Sequence, residues 1–447
     1  MQFFGIVAFL ILVAFTGGSS RTDVESVVLL YPAAMIGCGM ALVTLKRRHV
    51  EGRALLIVGI AAILSLCLLH LLPMPITIGA QQPLRTAIQI IYNLEIESNA
   101  FAAFSVAPLQ SVYSLIHLAL PLVILLWGFQ LNRRDLNRLL PIVIGLGALS
   151  GILGLLQIIG GAEGPLYLYN ITNRGNAVGL FANRNHGALL LACLFPILAV
   201  WASIDERRQP SRYSRKMMAL ALSILVFPLL LVTGSRSGIL IGLLGLVASL
   251  ILFQTANSGN LGKGTSKYWY GLGMLSAICL IFLTIFYSRA EALDRLLGTT
   301  QAEDMRLEYW HFASGLFWQY LPLGAGSGAF ADIYRVVEPN RLLNSNFVNH
   351  AHNDWIETAV LFGFPGIALV FIALIFFVRR SFSIWIGKLH NRYSTNVARM
   401  AGLTIILIGV ASLTDYPLRT PLFSCLFAIM LLWFIGPNSA SHEGEDT

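Results

Sequence analysis

Three short polar motifs interrupt an otherwise apolar chain of 447 residues, and each holds side chains able to do chemistry. The first runs Phe181-Ala-Asn-Arg-Asn-His-Gly187. Its Asn183, Arg184, Asn185 and His186 make a donor cluster suited to sugar hydroxyls or phosphate oxygens; the plainer role for them is to cap the helix that follows. The second is Gly234-Ser-Arg-Ser-Gly238, a hairpin between two strongly apolar runs. It is too short to reach far into solvent, so the Arg236 guanidinium must lie at a membrane face. There it either binds an anionic ligand, with the glycines allowing close approach, or snorkels to lipid phosphates. The third is Asn349-His-Ala-His-Asn-Asp-Trp-Ile-Glu357. Histidines at i and i+2 point different ways on a helix and do not make a dinuclear metal site. One histidine titrating near neutrality can take a proton from an attacking hydroxyl; alternatively His350 and His352 are interfacial residues that cap a helix. In helical register His352 shares a face with Ile356, and Asn353 with Glu357. Glu357 falls inside the membrane boundary, where a carboxylate needs a partner, and an arginine is the natural one.

Arginines recur beyond these motifs. Arg306 lies in a stretch, Glu303 to Tyr320, with Met305, Trp310, Phe312, Leu316 and Phe317 among its apolar positions. Asp415 and Arg419 stand close enough in sequence to pair with each other. A planar guanidinium offers five donors and never loses its charge, which suits phosphate oxygens. Pairing with loop carboxylates is the alternative use.

The elements that must position these residues are membrane spans. Of the residues, 56% are hydrophobic and 12% charged, against about 25% charged in soluble domains. Apolar runs of about 17–24 residues recur throughout, the length needed to cross about 30 Å of hydrocarbon as helix. Spans are expected near 2–17, 26–45, 54–73, 111–131, 139–161, 187–203, 217–233, 237–254, 270–287, 355–378, 400–415 and 420–436. The first run has no basic leader and no clear small-residue cleavage site, so it reads as a span and not a signal peptide. The five cysteines all sit within apolar runs without CxxC spacing and read as core residues.

Alternate loops are basic, and with a cytoplasmic N-terminus they hold 19 of the 30 basic residues, including all five lysines. The net charge of +8 therefore reflects topology, and nucleic acid is not an expected partner. The remaining 11 basic residues face outward and are all arginine, which hints at a pyrophosphate or an anionic headgroup. All three motifs and Arg306 fall on that outward side. The longest outward segment, 288–354, is expected to fold as short helices on the membrane face, with the outward segment 74–110 packed against it. Residues 1–437 form one integral membrane domain in this reading, and 438–447 a short polar cytoplasmic tail. There is no P-loop, no GxGxxG, no HExxH and no cytoplasmic domain to bind ATP, which excludes a primary pump. The lack of clustered intramembrane carboxylates weakens a secondary transporter.

The order FANRNHGA, GSRSG, RLEYWHFASGL, PLGAGSGAF and HAHNDWIETAVLFGFPG resembles the O-antigen ligase and polymerase superfamily of bacterial glycan-assembly membrane proteins. The resemblance covers roughly 165–380. It implies an all-α polytopic membrane protein of about 12 spans with a large helical periplasmic loop, in the bacterial inner membrane, with its active site facing the periplasm. The implied enzyme is a metal-independent glycosyltransferase without cofactor, using a glycan on undecaprenyl diphosphate as donor. The family's hairpin arginine falls on Arg236, its large-loop arginine on Arg306, and its histidine before Asn on His352. By resemblance Arg236 and Arg306 hold the donor diphosphate, and His352 orients or deprotonates the acceptor hydroxyl. Asn183, Arg184, His186, His350, Asn353 and Glu357 are expected to bind substrate around them.

The family divides by acceptor: lipid A–core for ligases in lipopolysaccharide biosynthesis, a second lipid-linked glycan for polymerases, protein for some relatives. The double-histidine HAHND form resembles exopolysaccharide-type members, which keeps a polymerase beside the ligase as an alternative. A non-catalytic transporter of lipid-linked glycan and a structural subunit of an assembly complex are the readings from other classes.

Overall fold

The computed structural model describes residues 2–75, 82, 84–87, 90, 101–203, 212–257, 301–340, 348–386 and 392–436. The chain is an all-α polytopic membrane protein. Eight helices among the described residues are long and apolar enough to cross a membrane. In chain order, with the shorter apolar ones, the helices are α1 (Gln2–Thr16), α2 (Val27–Thr44), α3 (Ala54–Leu69), α4 (Pro108–Gly128), α5 (Leu139–Ile159), α6 (Arg184–Trp201), α7 (Arg212–Val232) and α8 (Arg236–Asn257). They continue with α9 (Gln301–Gln319), α10 (Phe330–Val337), α11 (Asp354–Ile386), α12 (Arg392–Ala411) and α13 (Pro421–Ile435). Every expected span is matched by one of these except 270–287, which lies outside the described residues, as does the tail 438–447. A two-stranded antiparallel ribbon, β1 (Pro73–Pro75) with β2 (Phe101–Ala103), flanks the segment between α3 and α4.

Small residues set one close helix pair. Gly238 and Gly245 of α8 lie against Ala188 and Ala192 of α6, and a Cβ at Gly245 would stand 2.7 Å from the Ala192 carbonyl. Without a hydrophobic drive between helices in lipid, such small-residue seams let backbones approach and gain dispersion contact. The seam brings the N-termini of α6 and α8, and with them the first two polar motifs, side by side.

Polar residues inside α5 dock the segment leading into the first motif. Gln157 is buried; its amide donates to the Gly179 carbonyl (3.0 Å) and its oxygen accepts from Val178 N (3.1 Å) and Gly179 N (2.8 Å). Ser150 Oγ accepts from Leu180 N at 3.2 Å. A buried loop otherwise leaves unsatisfied backbone groups, and these two side chains supply the partners.

The helix carrying the third motif is kinked at Gly363, whose φ of 56° only glycine adopts freely, two residues before Pro365. The backbone bookkeeping closes around the kink. Pro365 has no N–H for the Leu361 carbonyl, and Gly326 N donates to it instead (3.1 Å). Phe364 N turns to Pro322 O (2.9 Å), and Ala325 N takes the freed Val360 carbonyl (3.1 Å). The turn Leu321–Gly328 thus fills a gap that the kink opens. It is also tied to the segment before α4: Val106 N donates to Ala325 O (3.1 Å), Ser111 Oγ to Ser327 O (2.6 Å), and Ser327 N to His70 Nδ1 (3.0 Å). The helix α9 packs beside α11 through Tyr309, Ala313, Leu316 and Tyr320, spaced along one face and buried with Val360 and Leu361. Of the apolar positions in this stretch, Leu316 is buried, Phe312 and Phe317 pack partly buried against the same cluster, and Trp318 is exposed.

Candidate functional site

The three motifs meet at the short loop between α12 and α13, Thr414-Asp-Tyr-Pro-Leu-Arg-Thr420. Asp415 is the meeting point. Its buried carboxylate accepts from Asn185 Nδ2 (2.6 Å), Asn183 Nδ2 (3.2 Å) and the Tyr416 backbone N–H (3.0 Å). His186 Nε2 stands 3.6 Å from Asp415 Oδ1, and His352 Nδ1 stands 3.5 Å from the same oxygen. Neither histidine contact has hydrogen-bond geometry. Burial pushes the Asp415 carboxyl upward, but His186 and His352 outweigh it and hold the group well below the usual carboxylate range.

The hairpin joins this cluster through Ser235, whose hydroxyl donates to Asn185 Oδ1 (2.8 Å) and accepts from Gly238 N (3.0 Å), capping α8. Arg236, half-buried, is the next residue. Arg184 lies on the other side of the hairpin: its Nη1 donates to Asn176 Oδ1 (2.9 Å), and a Cβ on Gly234 would sit 3.6 Å from that nitrogen.

The third motif does not enter α11 as a continuous helix. Helix α11 starts at Asp354, and His352 has a φ of 50°, the one positive value on a non-glycine among the described residues. The expected sharing of a helix face by His352 and Ile356 is therefore not found. Asn353 spends its side chain on structure: Oδ1 accepts from Trp355 N and Ile356 N (both 3.0 Å), and Nδ2 donates to Leu413 O (2.9 Å). Strained backbone at a polar cluster is the kind of outlier that a fold tolerates where a side chain must be aimed.

Beside it lies a second ionic group. Glu357 is buried, with Oε1 2.9 Å from His350 Nδ1 and 3.6 Å from Arg419 Nε, while Oε2 accepts from Ala351 N (3.0 Å). Arg419 also contacts Asp354 Oδ1 (3.2 Å), and Ser412 Oγ donates to Asp354 Oδ2 (3.0 Å). The expected Asp415–Arg419 pair is thus replaced. Two carboxylates in the first turn of α11 take the arginine, and Asp415 turns to the amides and histidines. Burial alone would lower the Arg419 guanidinium, but Glu357 and Asp354 raise it further above its ordinary value.

Tyr416 separates the two groups. Its ring centroid is 4.5 Å from His350, 4.8 Å from His352 and 5.3 Å from His186. From the far side Tyr309 of α9 stacks on His352 at 6.5 Å. Arg306 lies one turn before Tyr309 on the same helix; only its backbone position is described. His186, fully enclosed by Phe181, Tyr416 and Phe423, stands behind Asp415 and not at an open surface.

The structure therefore brings Asn183, Arg184, His186, Arg236, His350, His352, Asn353 and Glu357 to one end of the bundle. The N-termini of α6, α8, α11 and α13 converge there too. Each helix N-terminus carries roughly half a positive charge, so the region favours anions. Among the described residues no three His, Cys, Asp or Glu side chains are arranged to hold a metal ion. Sequence reasoning missed Tyr416 and the hub role of Asp415; the only signal was a polar, proline-flanked loop between two apolar runs.

Comparison with known families gives one match: residues 219–371 fit the family model described as O-antigen ligase. No curated protein matches the chain. The matched segment spans Arg236, Arg306, His350, His352 and Glu357, whereas the Asn183–His186 cluster and the Asp415–Arg419 loop lie outside it.

Proposed function

We propose, from the match of residues 219–371 to the O-antigen ligase family model, that this chain transfers a glycan from undecaprenyl diphosphate to an acceptor hydroxyl. An O-antigen ligase or polymerase type of glycan assembly follows from the family; the donor, the acceptor and the reaction are the proposal. One observation supports it above the others: an arginine hairpin, four helix N-termini and two histidine–carboxylate groups meet at one end of the bundle.

In this reading Arg236 and Arg306 hold the donor diphosphate, aided by the N-termini of α6 and α8 and by Arg184. As the bond between the anomeric carbon and phosphate breaks, negative charge builds on the diphosphate. Fixed guanidinium groups and helix dipoles stabilise that charge without reorganising, which is the largest usual contribution to such catalysis. The acceptor hydroxyl approaches on the opposite side, at the histidines around Tyr416. The site faces the periplasm of the inner membrane, where the lipid-linked donor presents its glycan.

Lipid A–core is the acceptor in the ligase form and a second lipid-linked glycan in the polymerase form. A surface-glycan gel of a deletion strain separates them. Bare core with accumulating lipid-linked polymer marks a lost ligase, and core carrying a single repeat marks a lost polymerase. An unchanged glycan profile would overturn both. A transporter instead predicts movement of lipid-linked glycan in vesicles with no new covalent product.

A further inference from the structure

We propose that His350, held by Glu357, takes the proton of the acceptor hydroxyl, while His352 orients the acceptor. This rests on the glycosyl-transfer reading and assigns a role within it.

The two histidines differ in how they are held. His350 Nδ1 is 2.9 Å from Glu357 Oε1, and that carboxylate is itself fixed by the Ala351 N–H (3.0 Å) and by Arg419 (3.6 Å). A carboxylate beside a guanidinium only accepts, so the proton of neutral His350 sits on Nδ1. Nε2 then carries the lone pair. A buried carboxylate that fixes one tautomer and steadies the imidazolium formed later is the logic of a general base. His352 lacks this. Its Nδ1 is 3.5 Å from Asp415 without hydrogen-bond geometry, and Asp415 is already engaged by Asn183, Asn185 and the Tyr416 N–H.

Charge around His350 agrees. The groups facing it are Glu357 and Asp354 from α11, Arg419 and Tyr416 from the loop before α13, and His117 from α4. Glu357 and Asp354 lie where they steady the positive charge that His350 acquires on taking the proton. His350 is also the more accessible end of its pair: its side chain is 15% exposed and that of Glu357 2%.

The step balances. The acceptor O–H breaks and its proton passes to His350 Nε2. The oxygen bonds to the anomeric carbon, and the electron pair of the carbon–phosphate-oxygen bond leaves with the diphosphate. The imidazolium then returns its proton to water through the exposed edge of the ring.

The test uses the full chain, purified and reconstituted with lipid extract from its own deletion strain, which supplies both glycan substrates. Transfer is measured against pH for wild type, His350→Gln and His352→Gln. Glutamine at 350 keeps an N–H for Glu357 but offers no base, so the fold is retained. His350→Gln is expected to lower the maximal rate about 100-fold or more and to abolish the fall in rate at acid pH. His352→Gln is expected to keep that acid limb and raise KM. An acid limb retained in His350→Gln and lost in His352→Gln overturns the assignment, as does an unchanged rate in His350→Gln. Wild-type protein that transfers nothing overturns the underlying reading instead, a separate outcome. Carbethoxylation by diethyl pyrocarbonate, read by mass spectrometry, checks the tautomer without turnover. His350 is expected to react faster in wild type than in Glu357→Gln, and equal rates overturn the fixed tautomer.

Discussion

Asp415 Oδ1 lies 3.5 Å from His352 Nδ1, and through the same carboxylate His352 is linked to Asn183, Asn185 and His186. One buried charge therefore sets the relative position of the first and third motifs. Asp415→Ala would leave the half-buried amides of Asn183 and Asn185 without their acceptor, at a cost of up to about 1–3 kcal/mol for each, the figure for a fully buried unsatisfied group. The expected result is a lower melting temperature in detergent, read by intrinsic fluorescence, together with loss of transfer.

The same carboxylate gives a pH signature. Its folded-state pKa is depressed, so the unfolded chain binds the proton more readily. Its stabilisation is complete above about pH 4, the ordinary aspartate value, and is lost as pH falls through the lower folded value. Comparing wild type with Asp415→Asn isolates this group from other carboxylates. The gap in melting temperature should be widest near neutrality and close in acid. A gap that widens on acidification would contradict the depressed pKa.

Much of this architecture was legible in the chain. The apolar runs announced the spans because lipid leaves the backbone no alternative to helix, and the three motifs announced one end of the bundle. The partners were not legible. Asp415 and Arg419 are near in sequence, and short-range charge pairing was the natural expectation. The fold instead offers Arg419 the buried carboxylates Asp354 and Glu357, which need a cation more. Tyr416 carried no signal because its role is steric, set by three imidazoles from distant segments. The docking of 178–180 by Gln157 and Ser150 was equally hidden, since a polar residue in an apolar run does not name its partner.

Arginine geometry gives a third expectation. If Arg236 clamps a diphosphate, Arg236→Ala should reduce transfer about 100- to 1000-fold, the usual loss for one preorganised donor to developing negative charge. Arg236→Lys keeps the charge but loses the planar fork and should recover only part of the rate. Membrane insertion of both variants should match wild type on a protease-accessibility assay. Retained transfer in Arg236→Ala would remove the clamp.

The α6–α8 seam makes a fourth. Gly245 has no room for a Cβ, since the Ala192 carbonyl would be 2.7 Å away, whereas nothing lies within 4 Å of a Cβ on Gly145. Gly245→Val should therefore part the two helices and cost about 1–3 kcal/mol, as overpacking does. It should also reduce transfer, because the Ser235–Asn185 hydrogen bond (2.8 Å) sits at the end of that seam. Gly145→Ala is the matched control and should leave both properties unchanged.

Tyr416 separates packing from chemistry. Its ring contacts His350, His352 and His186, and aromatic pairs of this kind are worth about 0.5–1.5 kcal/mol each beyond area burial. Tyr416→Phe keeps the ring and should keep the melting temperature within a few degrees of wild type, with both histidines still aimed. Tyr416→Ala removes the wall between the two ionic groups and should cost about 3–5 kcal/mol, the range for deleting a buried aromatic side chain. With the wall gone, His350 and His352 can turn away from their carboxylates, so transfer should fall by more than the loss of folded protein accounts for. Measuring rate per folded molecule, with the folded fraction taken from size-exclusion chromatography, distinguishes the two effects. Equal specific rates for Tyr416→Ala and wild type would show that the ring is only packing.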